Sequence, residues 1–338
     1  MNTRLTVANL KAQLEDPDLR IDILSSPRND SNSLALAYID GLVELTLVES
    51  VKSKLLQELT NFPSNETLLD GLTNGKNKWH PYPLMRRLEN LDDVVINLRT
   101  GHLVVLGEDG IWAAAIPTSL FDLLRASTDY RLCPMARLLV RLLRAIAILI
   151  SIFLTPLWLL VSLYPGLLPS SLRFLGLSGL EVGQVSLLGQ LLMTELVFDL
   201  GRLLVSNGPY RLGTPLLLIA LILTGQVGVG VGLLAPETVF YSTLVALGVL
   251  ATPDVDLSWA NTLARILLLV ATGVFGLAGF ILVLLFLFAL LAGTKSFGLP
   301  YLWPLVPFNW RAIKAAFAGL QSGMKYSLPG PARKPRRR

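Results

Sequence analysis

Four stretches without a charged side chain dominate the later part of the chain: residues 145–172, 212–236, 238–253 and 266–294. A membrane-crossing helix needs roughly 20 apolar residues. The first two stretches meet that length and the third is short. The fourth, extended back past Arg265 to Ala260, is too long for one upright helix. Gly273, Gly276 and Gly279 in its middle predict a hinge or a tight helical hairpin. A further apolar segment, 181–205, carries Gln184, Glu195, Asp199 and Arg202 near one helical stripe. With both ends cytoplasmic, as the basic residues flanking the apolar stretches predict, the number of crossings is even, four or six.

Before the first apolar stretch the periodicity changes. Residues 33–39 alternate weakly, as a strand does, and residues 44–59 place Leu45, Val48, Val51, Leu55 and Leu56 on one helical face. Residues 91–98 predict a second helix. Residues 103–106 and 111–116 predict a hairpin around Glu108, Asp109 and Gly110, and 117–126 a further helix. The fold class is therefore a polytopic α-helical membrane protein with a small N-terminal α/β cytoplasmic domain. Its expected divisions are a weakly ordered segment 1–32, the α/β domain 33–135, a transmembrane helical domain 136–294 and a basic cytoplasmic tail 295–338.

Composition narrows the class further. The chain is 52% hydrophobic and 16% charged, against about 25% charge in soluble domains, which excludes a single soluble domain. The formal charge of +5 arises in the tail: acids and bases are nearly balanced up to Arg144, and no acid follows Lys295. The soluble part lacks the basic face that nucleic acid requires. Arg131, Arg137, Arg141 and Arg144 before the first span, and the basic tail after the last, predict cytoplasmic termini. In the tail Trp310, Ile313, Phe317, Leu320 and Met324 recur at helical spacing, with Arg311, Lys314 and Lys325 opposite. That pattern predicts an amphipathic helix lying either on an anionic lipid surface or on the protein's own spans.

Catalytic chemistry is sparse. Cys133 is the only cysteine, so neither an intramolecular disulfide nor a cysteine-based zinc site can form, and the N-terminus has no apolar signal-peptide core. His80 and His102 are the only histidines and are read as structural. No nucleophile, base and orienting group occur in a recognisable arrangement, so neither an enzyme, a metal nor a cofactor is expected. The stripe of Gln184, Glu195, Asp199 and Arg202 has two readings: ionisable groups facing a bundle interior or water cavity, or the wetted side of an interfacial helix. The Gly-rich stretch 224–232 also has two. Gln226 with Val227, Val229 and Val231 suits a pore lining that gates by dewetting, whereas Gly228 and Gly232 suit close helix packing, which the spacing alone favours.

Several motifs accumulate into a resemblance. They are HPYPL at 80–84, Asp129-Tyr130-Arg131, TPLWLL at 155–160, LLPSSLRFLGL at 167–177, Glu195 through Arg202, TGQ at 224–226 and FGLPYLWPLVPFN at 297–309. Together, over roughly 33–318, the chain resembles the A-subunit family of spore germinant receptors, the GerA family. Within it the PLWLL and PYLWPL wording is most similar to the branch that amplifies germination with a small membrane partner rather than sensing nutrient. The resemblance implies a multi-pass protein of the inner spore membrane and a homo-oligomer, with five copies as the implied number. It further implies release of monovalent cations and work beside B-type and C-type receptor subunits or a small membrane partner. It raises the pore reading of Gln226, Val227, Val229 and Val231. Family members usually carry a further N-terminal subdomain, which the resemblance leaves missing or reduced here. A non-conducting assembly or regulatory subunit and a secondary transporter remain the other readings.

Overall fold

The computed structural model describes residues 5–26, 29–61, 80–107, 110, 112–167, 169, 171, 185–207, 222–223, 225–310 and 312–313. The chain divides into two compact units, one of residues 1–142 with 290–338 and the other of residues 143–289.

The first unit is built on a five-stranded antiparallel sheet in the order β1-β2-β4-β5-β3. Its strands are β1 (Leu19–Ser26), β2 (Asn29–Ile39), β3 (Arg86–Leu88), β4 (Leu103–Gly107) and β5 (Ala113–Ile116). Helix α1 (Val7–Gln13) and helix α3 (Leu91–Arg99) lie on one face, and α2 (Leu45–Asn61) on the other. The strand period of two sorts the side chains. Ala35, Ala37, Val104, Leu106, Ala113 and Ala115 pack with Val94 and Leu98 of α3. Leu34, Leu36, Leu103, Val105, Ala114 and Ile116 meet Val48, Val51 and Leu55 of α2. Because both faces are covered, every residue of β4 is buried, and for the same reason the alternation in 33–39 is weak. Asp92 and Asp93 open α3 and Arg99 closes it, matching the helix dipole. Short helix α4 (Leu120–Leu123) starts with a Ser119–Asp122 capping box. Burial alone would push the Asp122 carboxyl up, but Arg125, His102 and Ser119 hold it well below the usual carboxylate range.

Two differences from the sequence expectation concern this unit. Residues 1–32 are not a weakly ordered segment over the described part: α1 and β1 occupy it, with Leu5, Leu10, Leu14 and Leu24 buried against the sheet. These leucines follow neither a long helical nor a strict strand period, so the pattern hides them. The stretch after Lys295 begins as an ordered strap rather than a tail. Its two-stranded hairpin, β6 (Lys295–Ser296) with β7 (Leu299–Pro300), belongs to the same unit as the sheet. The predicted helix from Trp310 is seen as helix at Trp310 and at 312–313; Arg311, Lys314 and Lys325 lie outside the described residues, as does the Glu108-Asp109 turn.

The second unit is helical. It holds most of α5 (Pro134–Leu163), then α6 (Leu187–Asn207), α7 (Pro236–Leu250) and most of α8 (Val255–Gly293). Among the described residues α5 and α8 are long and apolar enough to cross a membrane, and α7 is a shorter apolar helix. Trp158, Leu159, Leu187, Leu191 and Leu269 form one core. Many large apolar side chains face outward, Phe275 and Leu282 among them. Helix α8 is interrupted at Gly276, whose φ of 60° and ψ of −140° are not helical. A methyl group on Gly279 would strike the carbonyl oxygen of Ala271. In a straight helix these positions stand about 12 Å apart along the axis, so the chain doubles back. Phe280, Val283 and Leu287 accordingly share a core with Ala264, Leu268 and Ala271. The tight helical hairpin is thus the alternative that the structure adopts over a hinge.

Gly276 is required twice: by its left-handed backbone and by Tyr164, which occupies the space that a methyl group would need. Gly276→Ala should lower the stability of the purified protein by at least about 1–2 kcal/mol. Gly293→Ala, where a methyl group meets nothing within 4 Å, should leave it within about 1 kcal/mol. Thermal unfolding in detergent checks both.

Candidate functional site

Helix α6 brings Glu195, Asp199 and Arg202 onto successive turns, and the first arm of α8 brings Ser258, Asn261 and Arg265 onto another set. Arg265 and Glu195 meet in the interior of the helical unit. The Nη2 of Arg265 donates to Glu195 Oε2 at 2.5 Å, and the two side chains are 1% and 4% exposed. Arg265 Nη1 donates to the Ser151 carbonyl at 2.6 Å, and Thr155 donates to Glu195 Oε1 at 3.5 Å. Three helices are therefore tied at one point. One turn along α6, Asp199 is half-buried and lies in the fields of both Arg265 and Arg202. Arg202 donates to Ser258 Oγ at 2.9 Å and its guanidinium lies 3.4 Å from the Trp259 ring centre. The result is a polar seam whose order on α8 runs opposite to that on α6.

The sequence stripe is thus resolved in part. Glu195, Asp199 and Arg202 do face one seam, and Gln184 lies outside the described residues. Glu195 takes Arg265, while Asp199 lies in the fields of Arg265 and Arg202, and Arg202 also meets a hydroxyl and an aromatic face. Arginine stays charged even when buried, and a desolvated charge needs a partner of opposite sign. Arg265 is the only charged residue between Asp256 and Lys295, and that isolation was the signal for it in the sequence.

A second polar tie lies nearby. Gln190 Oε1 accepts from the Ala235 amide at 2.8 Å and from Thr238 at 3.1 Å, while Thr194 and Ser242 hydroxyls lie 2.9 Å apart. These bonds join α6 to α7 through small polar groups. The close approach of α7 and α5 has its own requirement: a methyl group at Gly248 would stand 2.5 Å from the Ala147 carbonyl oxygen.

The Gly-rich stretch is helical over 225–230 and turns at 231–234, so Val231 closes the helix instead of lying within it. Gly232, with φ of 74°, supplies the left-handed residue that ends it. Gln226 is exposed, Val227 and Val231 are 59% and 61% exposed, and Val229 is half-buried. Val227 also borders an apolar groove of about 410 Å³ with Met193, Val197, Leu223 and Leu233. Residues 208–221 and Thr224 lie outside the described residues. Trp310, proposed from the sequence for a lipid surface, is exposed. Among the described residues no group of three or more His, Cys, Asp or Glu side chains could hold a metal ion.

Known proteins share this chain over most of its length. The family described as Bacillus/Clostridium GerA spore germination protein matches residues 2–326. Stage V sporulation protein AF of Bacillus subtilis is 29% identical over 92% of this chain and 63% of its own length. Spore germination protein A1 of the same organism is 25% identical over 88% of this chain and 62% of its own. The uncharacterized membrane protein YfkQ, also from Bacillus subtilis, is 22% identical over 93% of this chain and 61% of its own. The chain spans a little under two thirds of the length of these relatives. No solved structure matches it.

The buried pair gives a direct test. Removing one partner of such a pair costs about 3–5 kcal/mol, because the other charge is left desolvated, while replacing both with apolar groups is close to neutral. Glu195→Leu and Arg265→Met should each destabilise the protein by about that amount, and the double change should recover most of the loss. Unfolding midpoints of the three variants measure the coupling.

Proposed function

The chain belongs to the GerA spore germination family, and on that premise we propose that it is a multi-pass membrane subunit of a germination complex that assembles into an oligomeric channel for monovalent cations. The observation that carries this reading is Gln226, an amide exposed on a helical unit whose outer surface is otherwise rich in Val, Leu and Phe. An amide facing hydrocarbon loses its hydrogen bonds to water. A symmetric assembly that turns Gln226 toward a common axis returns it to water and builds a polar ring. Val227 and Val231, exposed and close to it in sequence, then supply an apolar constriction that conducts only when widened and wetted. Val229, half-buried, stands behind the ring.

In this reading five copies surround the axis, both termini are cytoplasmic, and the membrane is the inner membrane of the spore. The cooperating proteins are B-type and C-type receptor subunits or a small membrane partner. The Glu195–Arg265 seam keeps each copy's helices in register, so that the constriction is set by packing between copies. Trp310, exposed, lies at the lipid surface in this reading. The name of one relative, a membrane protein, and the apolar character of α5 and α8 support the membrane assignment.

Purified full chain in potassium-loaded liposomes tests it. Val227→Ala should raise K⁺ efflux several-fold and Val227→Phe should suppress it, with equal protein in the vesicles; Val231 variants should act in the same direction. Efflux that none of these changes alters would remove this stretch from the conduction path. Absence of efflux from every form, with assembly intact, would favour the non-conducting regulatory subunit.

A further inference from the structure

The five-stranded sheet has β1 at one rim and β3 at the other. Strand β3 is three residues long and β1 is eight. Among the described residues no strand pairs with the outer side of β1. Natural sheets blunt such an edge with Pro, Lys, a bulge or a short strand. Residues 19–25 contain neither Pro nor Lys, and their register with β2 first shifts between Ser25 and Ser26. Ile23 is 70% exposed, on the face where Leu19 and Ile21 pack against the core.

The ladder fixes which backbone groups point outward. The Asp40 amide donates to the Asp18 carbonyl at 2.8 Å, in step with the pairing of Arg20 with Tyr38 and of Asp22 with Leu36. In an antiparallel pair, successive residues turn their amide and carbonyl to opposite sides. Arg20, Asp22 and Leu24 therefore bond to β2, and Leu19, Ile21 and Ile23 turn theirs away from it. The Leu19 amide is taken by the Asp16 carbonyl at 3.2 Å. An outward row is left: the Ile21 and Ile23 amides with the carbonyls of Leu19, Ile21 and Ile23.

We propose that this edge docks β1 of a second copy of the chain, antiparallel, about a two-fold axis at Ile21. Charge selects both the partner and the register. Centred on Ile21, the pairing sets Arg20 opposite the second copy's Asp22, and Asp22 opposite its Arg20. Moving the centre by one residue either way sets Arg20 against Arg20 or Asp22 against Asp22. Opposite charges directly across two strands stabilise the pair, and like charges destabilise it. The contact is self-complementary, so one Arg-Ile-Asp alternation supplies both halves. In this register Ile21 exchanges both backbone bonds with its equivalent, and the Ile23 amide donates to the second copy's Leu19 carbonyl. The exposed Ile23 side chain gains Leu19 as its apolar neighbour. Arg20 is exposed, and Asp22 is half-buried while bonded to Lys52 at 3.0 Å, so both charges are within reach of a second strand. The contact belongs to the sheet unit and stands independently of the cation-channel reading.

Thiol crosslinking of the full chain in detergent tests the edge. With Cys133 changed to Ser and Ile21 to Cys, the self-opposed positions should give a covalent dimer. Arg20→Asp sets Asp against Asp, and Asp22→Arg sets Arg against Arg; each should lower the dimer yield roughly 5-fold or more. Co-expressing these two variants restores both Arg–Asp pairs. Mixed dimers, told apart by tags of different size, should return to near the original yield. No dimer at Ile21, the result expected if the edge takes a different protein or another segment of this chain, would overturn the proposal. So would a dimer indifferent to the charge changes, or mixed variants that stay as poor as either alone. Should Ile21→Cys or Asp22→Arg not fold, amide exchange decides with Arg20→Asp alone. Ile21 and Ile23 amides protected in the wild type, and about 5-fold less so in Arg20→Asp, support the contact. Amides open in the wild type, or equally protected in both, refute it.

Discussion

A guanidinium buried among leucines sets the terms for the helical unit. Arg265 cannot shed its charge, and in an apolar interior its desolvation is tolerable only beside a carboxylate and a carbonyl placed at hydrogen-bonding distance. Glu195 and the Ser151 carbonyl meet that demand, at 2.5 and 2.6 Å. One residue thereby fixes the positions of α5, α6 and the first arm of α8. Apolar packing alone does not specify such a register, because leucine surfaces slide over one another at little cost. The doubling back at Gly276 then brings the second arm of α8 against that ordered core.

The sheet unit obeys a different constraint. Its strands are covered on both faces, so small side chains such as Ala113, Ala114 and Ala115 alternate between two cores without crowding. The strap closes one end of this sandwich through backbone groups and the hydroxyls of Thr294 and Ser296. Unit by unit, the polar side chains that matter are those that satisfy backbone or charge where water is excluded.

Much of this was legible in the chain. The helices at 45–61 and 91–99 follow from their apolar faces, and the pairing of β4 with β5 from two β-rich runs flanking an acidic Gly turn. The glycines at 273, 276 and 279 announced the reversal in α8. The motifs identified the family whose match covers residues 2–326. Three things escaped. Leu5, Leu10 and Leu14 are too irregularly spaced to reveal α1 and its anchor to the sheet. The strap has prolines and aromatics but no period, and its partners lie far away in sequence, 178 residues in the case of Thr118 with Ser296. The pairing of Arg265 with Glu195 was hidden because the acids on α6 have a cation, Arg202, on their own helix, whereas desolvation requires only a partner nearby in space.

The central claim is that the Gln226 surfaces of neighbouring copies face a common axis and lie close to one another around it. Site-directed crosslinking in membranes tests it most directly. With Cys133 changed to Ser, a cysteine at Gln226 and a control cysteine at the outward-facing Leu282 are each treated with a short thiol crosslinker. The account predicts a ladder of covalent oligomers from the Gln226 position and little beyond monomer from Leu282. Monomer from both positions, or equal ladders from both, would contradict it.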